Sequence, residues 1–223
     1  EWIWRPLGNG PGMNVTSLRA EDPAGFGLFQ RARDFESFLD LEARYHLRPS
    51  YWVEVLGGDW GSGGVELLEI PTDSEFNDNI AVYWVPDVPL RAGEERTYRY
   101  RMVTRGALPP DMAVAHVVRT AVGWDALPGQ ADPPPRSRRR FVVDFEGGDL
   151  QSFEAQVEAE LSVLRGSVEG VMVQQLPGNR GLRVTFTLIP EGSTPADMRL
   201  FLTTEDRVLS ETWSYVWYPE RTD

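Results

Sequence analysis

The chain has 223 residues, a net charge of −12 and no cysteine, enough length for one large domain or two small ones, each with its own core. The missing cysteine excludes disulfides, thiolate metal ligation and a cysteine nucleophile. The acidic balance disfavours nucleic acid, whose phosphates need clustered lysine and arginine, and suits a neutral ligand or a basic partner.

Hydrophobic residues make up 41%, a globular composition, and no run approaches the roughly 18 apolar residues of a membrane span. The eight tryptophans suit sugar platforms, cores and strands alike. The chain opens Glu1-Trp2-Ile3-Trp4 without an initiator methionine or a signal peptide, which reads as an internal start entering directly into a strand. Asn14-Val15-Thr16 matches a glycosylation sequon, a match short enough to arise by chance.

Short runs that alternate in polarity and end at glycine, proline, asparagine or aspartate predict strands. In chain order they are Trp2–Leu7, Gly27–Arg31, Tyr51–Leu56, Val65–Ile70, Ile80–Val85 and Arg96–Thr104. The series continues with Ala113–Val122, Arg140–Phe145, Glu154–Val163, Gly170–Gln175, Leu182–Ile189, Met198–Thr204 and Leu209–Trp217. One segment, Phe35–Tyr45, carries helical spacing at Phe35, Phe38, Leu39, Leu41 and Tyr45, with Asp34 placed to cap it. The pattern is all-β, built as sandwiches.

Arg105-Gly106-Ala107-Leu108-Pro109-Pro110 marks a boundary, since two prolines stop sheet pairing and hold an extended linker. The expected organisation is a β-unit over 1–105, a linker over 106–111 and a sandwich over 112–223. About seven strands in roughly 110 residues is the count and size of an immunoglobulin-like sandwich. Residues 1–105, with long loops between six strands, leave sheet edges open. Gly123–Arg139 is a long loop with Pro133-Pro134-Pro135 followed by Arg136, Arg138 and Arg139. Its two readings are a solvated connector and a stiff, extended arm that carries Trp124 as an anchor to a cleft, of its own chain or of a second subunit in a homodimer.

His46 and His116 are isolated and give no metal-ligand spacing; neither metal nor cofactor is expected. Gly57-Gly58-Asp59-Trp60-Gly61-Ser62-Gly63-Gly64 lacks the lysine and the helix of a phosphate loop and reads as a hairpin connection with Trp60 at its tip. No serine sits in a nucleophile elbow. Carboxylates remain: Glu66, Glu69, Asp73, Glu75 and Asp78. The strand period puts Glu66 and Glu69 on opposite faces, so they cannot act as a pair. Asp78, between two asparagines, reads by itself as an ordinary turn residue.

Several segments resemble the MdoG/OpgG family of osmoregulated periplasmic glucan proteins. They include Gly25-Phe26-Gly27-Leu28-Phe29-Gln30-Arg31, Asp34-Phe35, Asp40, Tyr45, Arg48-Pro49-Ser50 and Trp52-Val53-Glu54. Gly58-Asp59-Trp60-Gly61, Glu66-Leu67-Leu68-Glu69-Ile70-Pro71-Thr72, Asn77-Asp78-Asn79-Ile80, Phe141-Val142-Val143-Asp144-Phe145 and Leu209-Ser210-Glu211-Thr212-Trp213-Ser214-Tyr215 extend the match in order. Trp2-Ile3-Trp4-Arg5-Pro6-Leu7 begins it. The resemblance implies the last part of a mutarotase-like β-sandwich domain followed by an immunoglobulin-like domain, in the periplasm. It implies a protein that handles β-1,2-linked glucan, by inverting endo-hydrolysis or as a non-catalytic binding or assembly factor. Asp78 matches the general acid, and Tyr45 a tyrosine that relays a proton or orients substrate. Candidate substrate contacts are Arg48, Trp52, Trp60 and Glu69, with Trp124 in the long loop. The general base falls upstream of these residues, in the missing N-terminal part of the same protein. A third reading, a purely structural sandwich, predicts no preference for any glucan.

Overall fold

The computed structural model describes residues 1–74, 78–109, 112–150 and 156–219. The chain forms two compact units, one of Gly12–Pro110 and one of Glu1–Pro11 with Asp111–Asp223. Regular structure is almost wholly β among the described residues. The strands, numbered in chain order, begin with the short β1 (Ile3–Trp4), which belongs to the second of these units.

The unit Gly12–Pro110 contains β2 (Asn14–Glu21), β3 (Gly25–Leu28), β4 (Ser50–Gly58), β5 (Ser62–Glu69), β6 (Ile80–Pro86) and β7 (Tyr98–Arg105). They form two three-stranded sheets, ordered β2-β5-β6 and β3-β4-β7. Trp60, on the connection from β4 to β5, ties the sheets together. Its ring meets Trp84 of the first sheet edge-on at 5.9 Å, and Phe26 and Tyr98 of the second at 6.2 and 4.9 Å. Its indole N–H donates to the Gly57 carbonyl at 3.0 Å. The turn that swings Trp60 inward needs glycine: Gly58 has φ +103°, and a Cβ there would lie 2.2 Å from the Thr97 carbonyl oxygen.

Apart from Trp60 and two prolines, Pro23 and Pro109, the only apolar side chain buried in this unit among the described residues is Leu67. In the antiparallel register of β4 and β7, Val53 faces Met102 and Val55 faces Tyr100. On that same face Met102 is 65% exposed and Tyr100 53%. With so thin a core, Trp60→Phe is expected to cost about 1–3 kcal/mol, from lost ring area and the lost indole hydrogen bond. Urea unfolding followed by intrinsic fluorescence measures it.

The other unit contains β8 (His116–Trp124), β9 (Arg139–Glu146), β10 (Glu158–Leu164), β11 (Ser167–Gln175), β12 (Gly181–Ile189), β13 (Ala196–Thr203) and β14 (Thr212–Trp217). One sheet runs β8-β9-β12-β11 and the other β10-β13-β14-β1. For β8 to β14 this is the ABED and CFG strand order of an immunoglobulin-like sandwich. β1 pairs in parallel with β14, Ile3 opposite Thr212 and Trp4 opposite Trp213. Alternation builds the core: Phe141, Val143 and Phe145 of β9, Val184, Phe186 and Leu188 of β12, and Met198, Leu200 and Leu202 of β13 all point inward and are buried. Phe141 stacks on Phe186 at 5.1 Å, and Trp213 crosses from the opposite sheet to meet both edge-on.

The helix expected over Phe35–Tyr45 does not form. Two 3-10 turns, Phe35–Ser37 and Tyr45–Leu47, occupy its ends. Asp34 caps the first as expected, accepting from the Ser37 amide at 2.8 Å. Leu39 and Arg44 take left-handed backbone angles, φ +54° and +50°, which an α-helix cannot include. Asp40 Oδ1 takes the amides of Glu42 and Ala43 at 2.8 and 2.7 Å, substituting a local side-chain turn for helical bonding. The strand β2 is not among those predicted. The start of the strand predicted from Glu154 lies outside the described residues.

Candidate functional site

Asp78 stands in the connection between β5 and β6, two residues before β6 begins. The base of that connection is closed twice. The Ile70 amide donates to the Asn79 carbonyl at 2.8 Å, and Asn79 Nδ2 donates to the Ile70 carbonyl at 3.0 Å. Asp78 is exposed beyond this clasp and has no polar partner among the described residues. Residues 75–77, which include the candidate carboxylate Glu75 and Asn77 of the family match, lie outside the described residues. Glu69, at the end of β5, is only 4% exposed and accepts from Asn14 Nδ2 at 3.1 Å. It is tied into the sheet, opposite Asn14 on one side and Ile80 on the other. Glu66 pairs across the sheet with Tyr83, on the other face from Glu69. Burial, with the Glu66 carboxylate beside it, pushes the Tyr83 phenol above its ordinary pKa.

A second group gathers where the loop after β3 returns to β4. Arg48 lies over the Tyr45 ring, 4.3 Å from its centroid. The Tyr45 ring also rests near Phe38, at 6.1 Å. Gln30 Nε2 holds the Tyr45 carbonyl at 2.7 Å. Arg33 is the organiser of this loop. Its guanidinium donates to the Arg48 carbonyl, to Ser50 Oγ at 2.6 Å and to the Arg105 carbonyl at 3.4 Å. Trp52, half-buried in β4, meets Phe29 edge-on at 5.6 Å. The adjacent strand can pass so close because it carries glycine: a Cβ on Gly25 would lie 2.5 Å from the Trp52 ring. Nothing in the sequence marks Arg33, because its role is spent on backbone carbonyls far along the chain.

The structure thus brings Tyr45 and Arg48 together and fixes Trp52 on the next strand. It assigns Trp60 elsewhere: at 5% exposed, with its N–H already bonded, it is a packing wedge rather than a hairpin tip with a free ring face.

Trp124 belongs to the other unit. Its loop is folded on itself, not the extended arm that the prolines suggest. The indole N–H donates to the carbonyls of Pro134 and Pro135 at 3.1 and 3.3 Å, and Arg136 covers the ring at 4.1 Å. Asp125 gathers the basic run, bonding Arg138 at 3.3 Å and Arg140 at 2.7 Å, while Arg138 also pairs with Glu169. The triple proline therefore turns back over Trp124, and Arg138 and Arg140 are paired with carboxylates within the sandwich. Asp125→Ala is expected to free this loop, raising tryptic cleavage after Arg136 and Arg138 severalfold while the sandwich core holds. Timed digestion followed by mass spectrometry reads this directly.

No group of three or more potential metal ligands occurs among the described residues, and no helix there is long and apolar enough to cross a membrane.

These features define a two-unit, all-β sandwich protein. Residues 1–217 match the family described as periplasmic glucan biosynthesis protein, MdoG, and the chain belongs to that family. It is 44% identical over 223 residues to glucans biosynthesis protein D 2 of Ralstonia nicotianae, covering 98% of this chain and 41% of the relative. To glucans biosynthesis protein D of Xanthomonas campestris it is 41% identical over 227 residues, covering 98% and 42%. To glucans biosynthesis protein D of Pseudomonas savastanoi it is 39% identical over 235 residues, covering 100% and 43%. The chain spans about two fifths of the length of the curated relatives it matches.

Proposed function

We propose that the whole protein carrying this sequence processes β-1,2-linked glucan in the periplasm, as an inverting endo-hydrolase with Asp78 as its general acid. Membership of a family described by periplasmic glucan carries the reading. The geometry supports it by leaving Asp78 exposed beyond a rigid clasp, where a saccharide can reach it. In the reaction the Asp78 carboxyl gives its proton to the glycosidic oxygen as the bond to the anomeric carbon breaks. Water attacks that carbon from the opposite face and yields its proton to a base. That base is supplied by sequence beyond these residues, and Tyr45 orients the substrate or relays the proton. Arg48 and Trp52 line the saccharide path, while Glu69 is spent on Asn14 within the sheet. An aspartic acid works this way only where its surroundings hold the proton; here bound saccharide and the remaining chain complete them.

The exposed apolar face of β4 and β7 supports a related proposal. The unit Gly12–Pro110 is part of a larger, mutarotase-like sandwich, whose further strands cover Tyr100 and Met102.

The relatives' shared name, glucans biosynthesis protein, favours a second reading in which the protein binds or assembles glucan without cleaving it. Incubating the whole protein with linear β-1,2-glucan and counting new reducing ends separates the two. Steady release supports the hydrolase; saturable binding without release supports the assembly factor.

A further inference from the structure

Three neighbouring arginines stand without counter-ions among the described residues, in a chain that carries a large acidic excess. Several arginines elsewhere find carboxylates: Arg19 pairs with Asp87, Arg101 with Glu54, Arg183 with Asp144 and Arg207 with Asp149. Arg33, Arg48 and Arg105 meet none among the described residues. They are also neighbours. Ser50 and Arg105 are directly opposite in the register of β4 and β7, so their side chains project to one face with Cβ atoms about 5 Å apart. Arg33 reaches the same point, its guanidinium 2.6 Å from Ser50 Oγ and against the carbonyls of Arg48 and Arg105.

The hydrogen-bonding capacity left over is all of one kind. The Nε atoms of Arg33 and Arg105 are buried with no partner, and the Arg105 guanidinium makes no hydrogen bond among the described residues. Ser50 is 2% exposed, and its Oγ accepts from two donors, the Gln30 amide at 3.0 Å and Arg33. Its own proton is therefore left to donate and has no acceptor among the described residues. Two rungs along the same face the charge is balanced, because Glu54 faces Arg101. Buried donors and like charges without an acceptor are costly unless something completes them.

We propose that Arg33, Ser50 and Arg105, with Arg48 at the rim, form a binding site for a compact oxyanion, a phosphate or carboxylate group. Guanidinium groups present planar pairs of donors that match two oxygens of such a group, and the Ser50 hydroxyl supplies a further donor. The anion is either free or carried on a saccharide, and the site stands on this geometry whether or not the protein cleaves glucan.

The test is calorimetric titration of the whole protein with inorganic phosphate, glucose 6-phosphate and glucose, for wild type, Arg105→Gln and, as control, Arg140→Gln. Phosphate or glucose 6-phosphate is expected to bind, more weakly as salt rises, and glucose to add nothing at this site. Arg105→Gln should weaken anion binding about tenfold, the loss of one charged hydrogen-bond set, while Arg140→Gln leaves it unchanged. Arg105→Lys, which keeps the charge but not the fork, should fall between. Tighter binding of glucose 6-phosphate than of phosphate identifies a saccharide-borne anion, and equal binding a free one. Failure of both anions to bind, or equal affinity in Arg105→Gln with an unchanged melting temperature, overturns the site. So does a carboxylate of the protein's own chain filling it in a structure of the whole protein. Reducing-end assays on neutral glucan, run in parallel, keep this outcome separate from that of the hydrolase proposal.

Discussion

Asp78→Asn is expected to lower hydrolysis of linear β-1,2-glucan by about two to four orders of magnitude, the usual worth of a positioned general acid. The substitution keeps size and shape but removes the proton that the leaving oxygen requires. Folding should be untouched, because Asp78 is exposed and has no polar partner among the described residues, and such surface changes stay within about 0.5 kcal/mol. The clasp of Asn79 on Ile70 does not involve the Asp78 side chain, so the position of the amide in the variant is that of the acid. Three readings of the whole protein check this together: reducing ends released per unit time, melting temperature and glucan affinity. A rate equal to wild type with all else unchanged would take the acid role away from Asp78. A loss of affinity equal to the loss of rate would assign it to binding instead.

The sandwich of β8 to β14 was legible because its strands carry the signal that burial imposes. In β9 and β12 inward positions are Phe141, Val143 and Phe145, then Val184, Phe186 and Leu188, an alternation visible in the letters alone. β2 carries no such signal. Its inward positions are Asn14, Thr16, Leu18 and Ala20, while Val15 faces out, and Asn14 is acceptable inside only because Glu69 receives its amide. A polar pair separated by 55 residues leaves no local trace. For β1, which falls within the predicted strand Trp2–Leu7, the same limit hides the pairing, because its partner β14 lies at the far end of the chain.

The helical spacing of Phe35 to Tyr45 misleads for a related reason. Leu39 and Leu41 are exposed, so the period reports no buried stripe, and the local bonds of Asp34 and Asp40 decide the backbone. Of the candidate site, Tyr45 and Arg48 stand three positions apart, so a single local turn brings the guanidinium over the ring. Trp60 and the triple-proline loop have no such short-range signal. The Trp60 ring is held by Phe26, Trp84 and Tyr98, which only the folded chain brings near, and the Trp124 N–H is claimed by a carbonyl ten positions along the chain. Arg33 and Arg105 are adjacent solely through sheet register, which no spacing rule conveys.

Trp213→Ala should be the most destabilising single change in the sandwich. The residue is 0% exposed, its ring meets Phe141 at 6.0 Å and Phe186 at 6.2 Å from the opposite sheet and stacks on Tyr215 at 5.0 Å. Its indole N–H donates to Thr120 Oγ1 at 3.0 Å, so the side chain ties β14 to β8 by a polar bond as well as by packing. Truncation removes the ring from three aromatic neighbours and leaves the Thr120 hydroxyl without its donor. A change of this kind costs about 3–5 kcal/mol, against a total of about 5–15 kcal/mol for a domain. The corresponding fall in melting temperature is on the order of 20 °C for a unit of this size. Trp213→Phe keeps most of the ring area and loses only the donor, and should cost less than half as much. Scanning calorimetry of the whole protein, with circular dichroism of the aromatic bands, measures both variants. A loss below about 1 kcal/mol for Trp213→Ala, the scale of a single surface contact, would mean that the two sheets are held together elsewhere than at this ring.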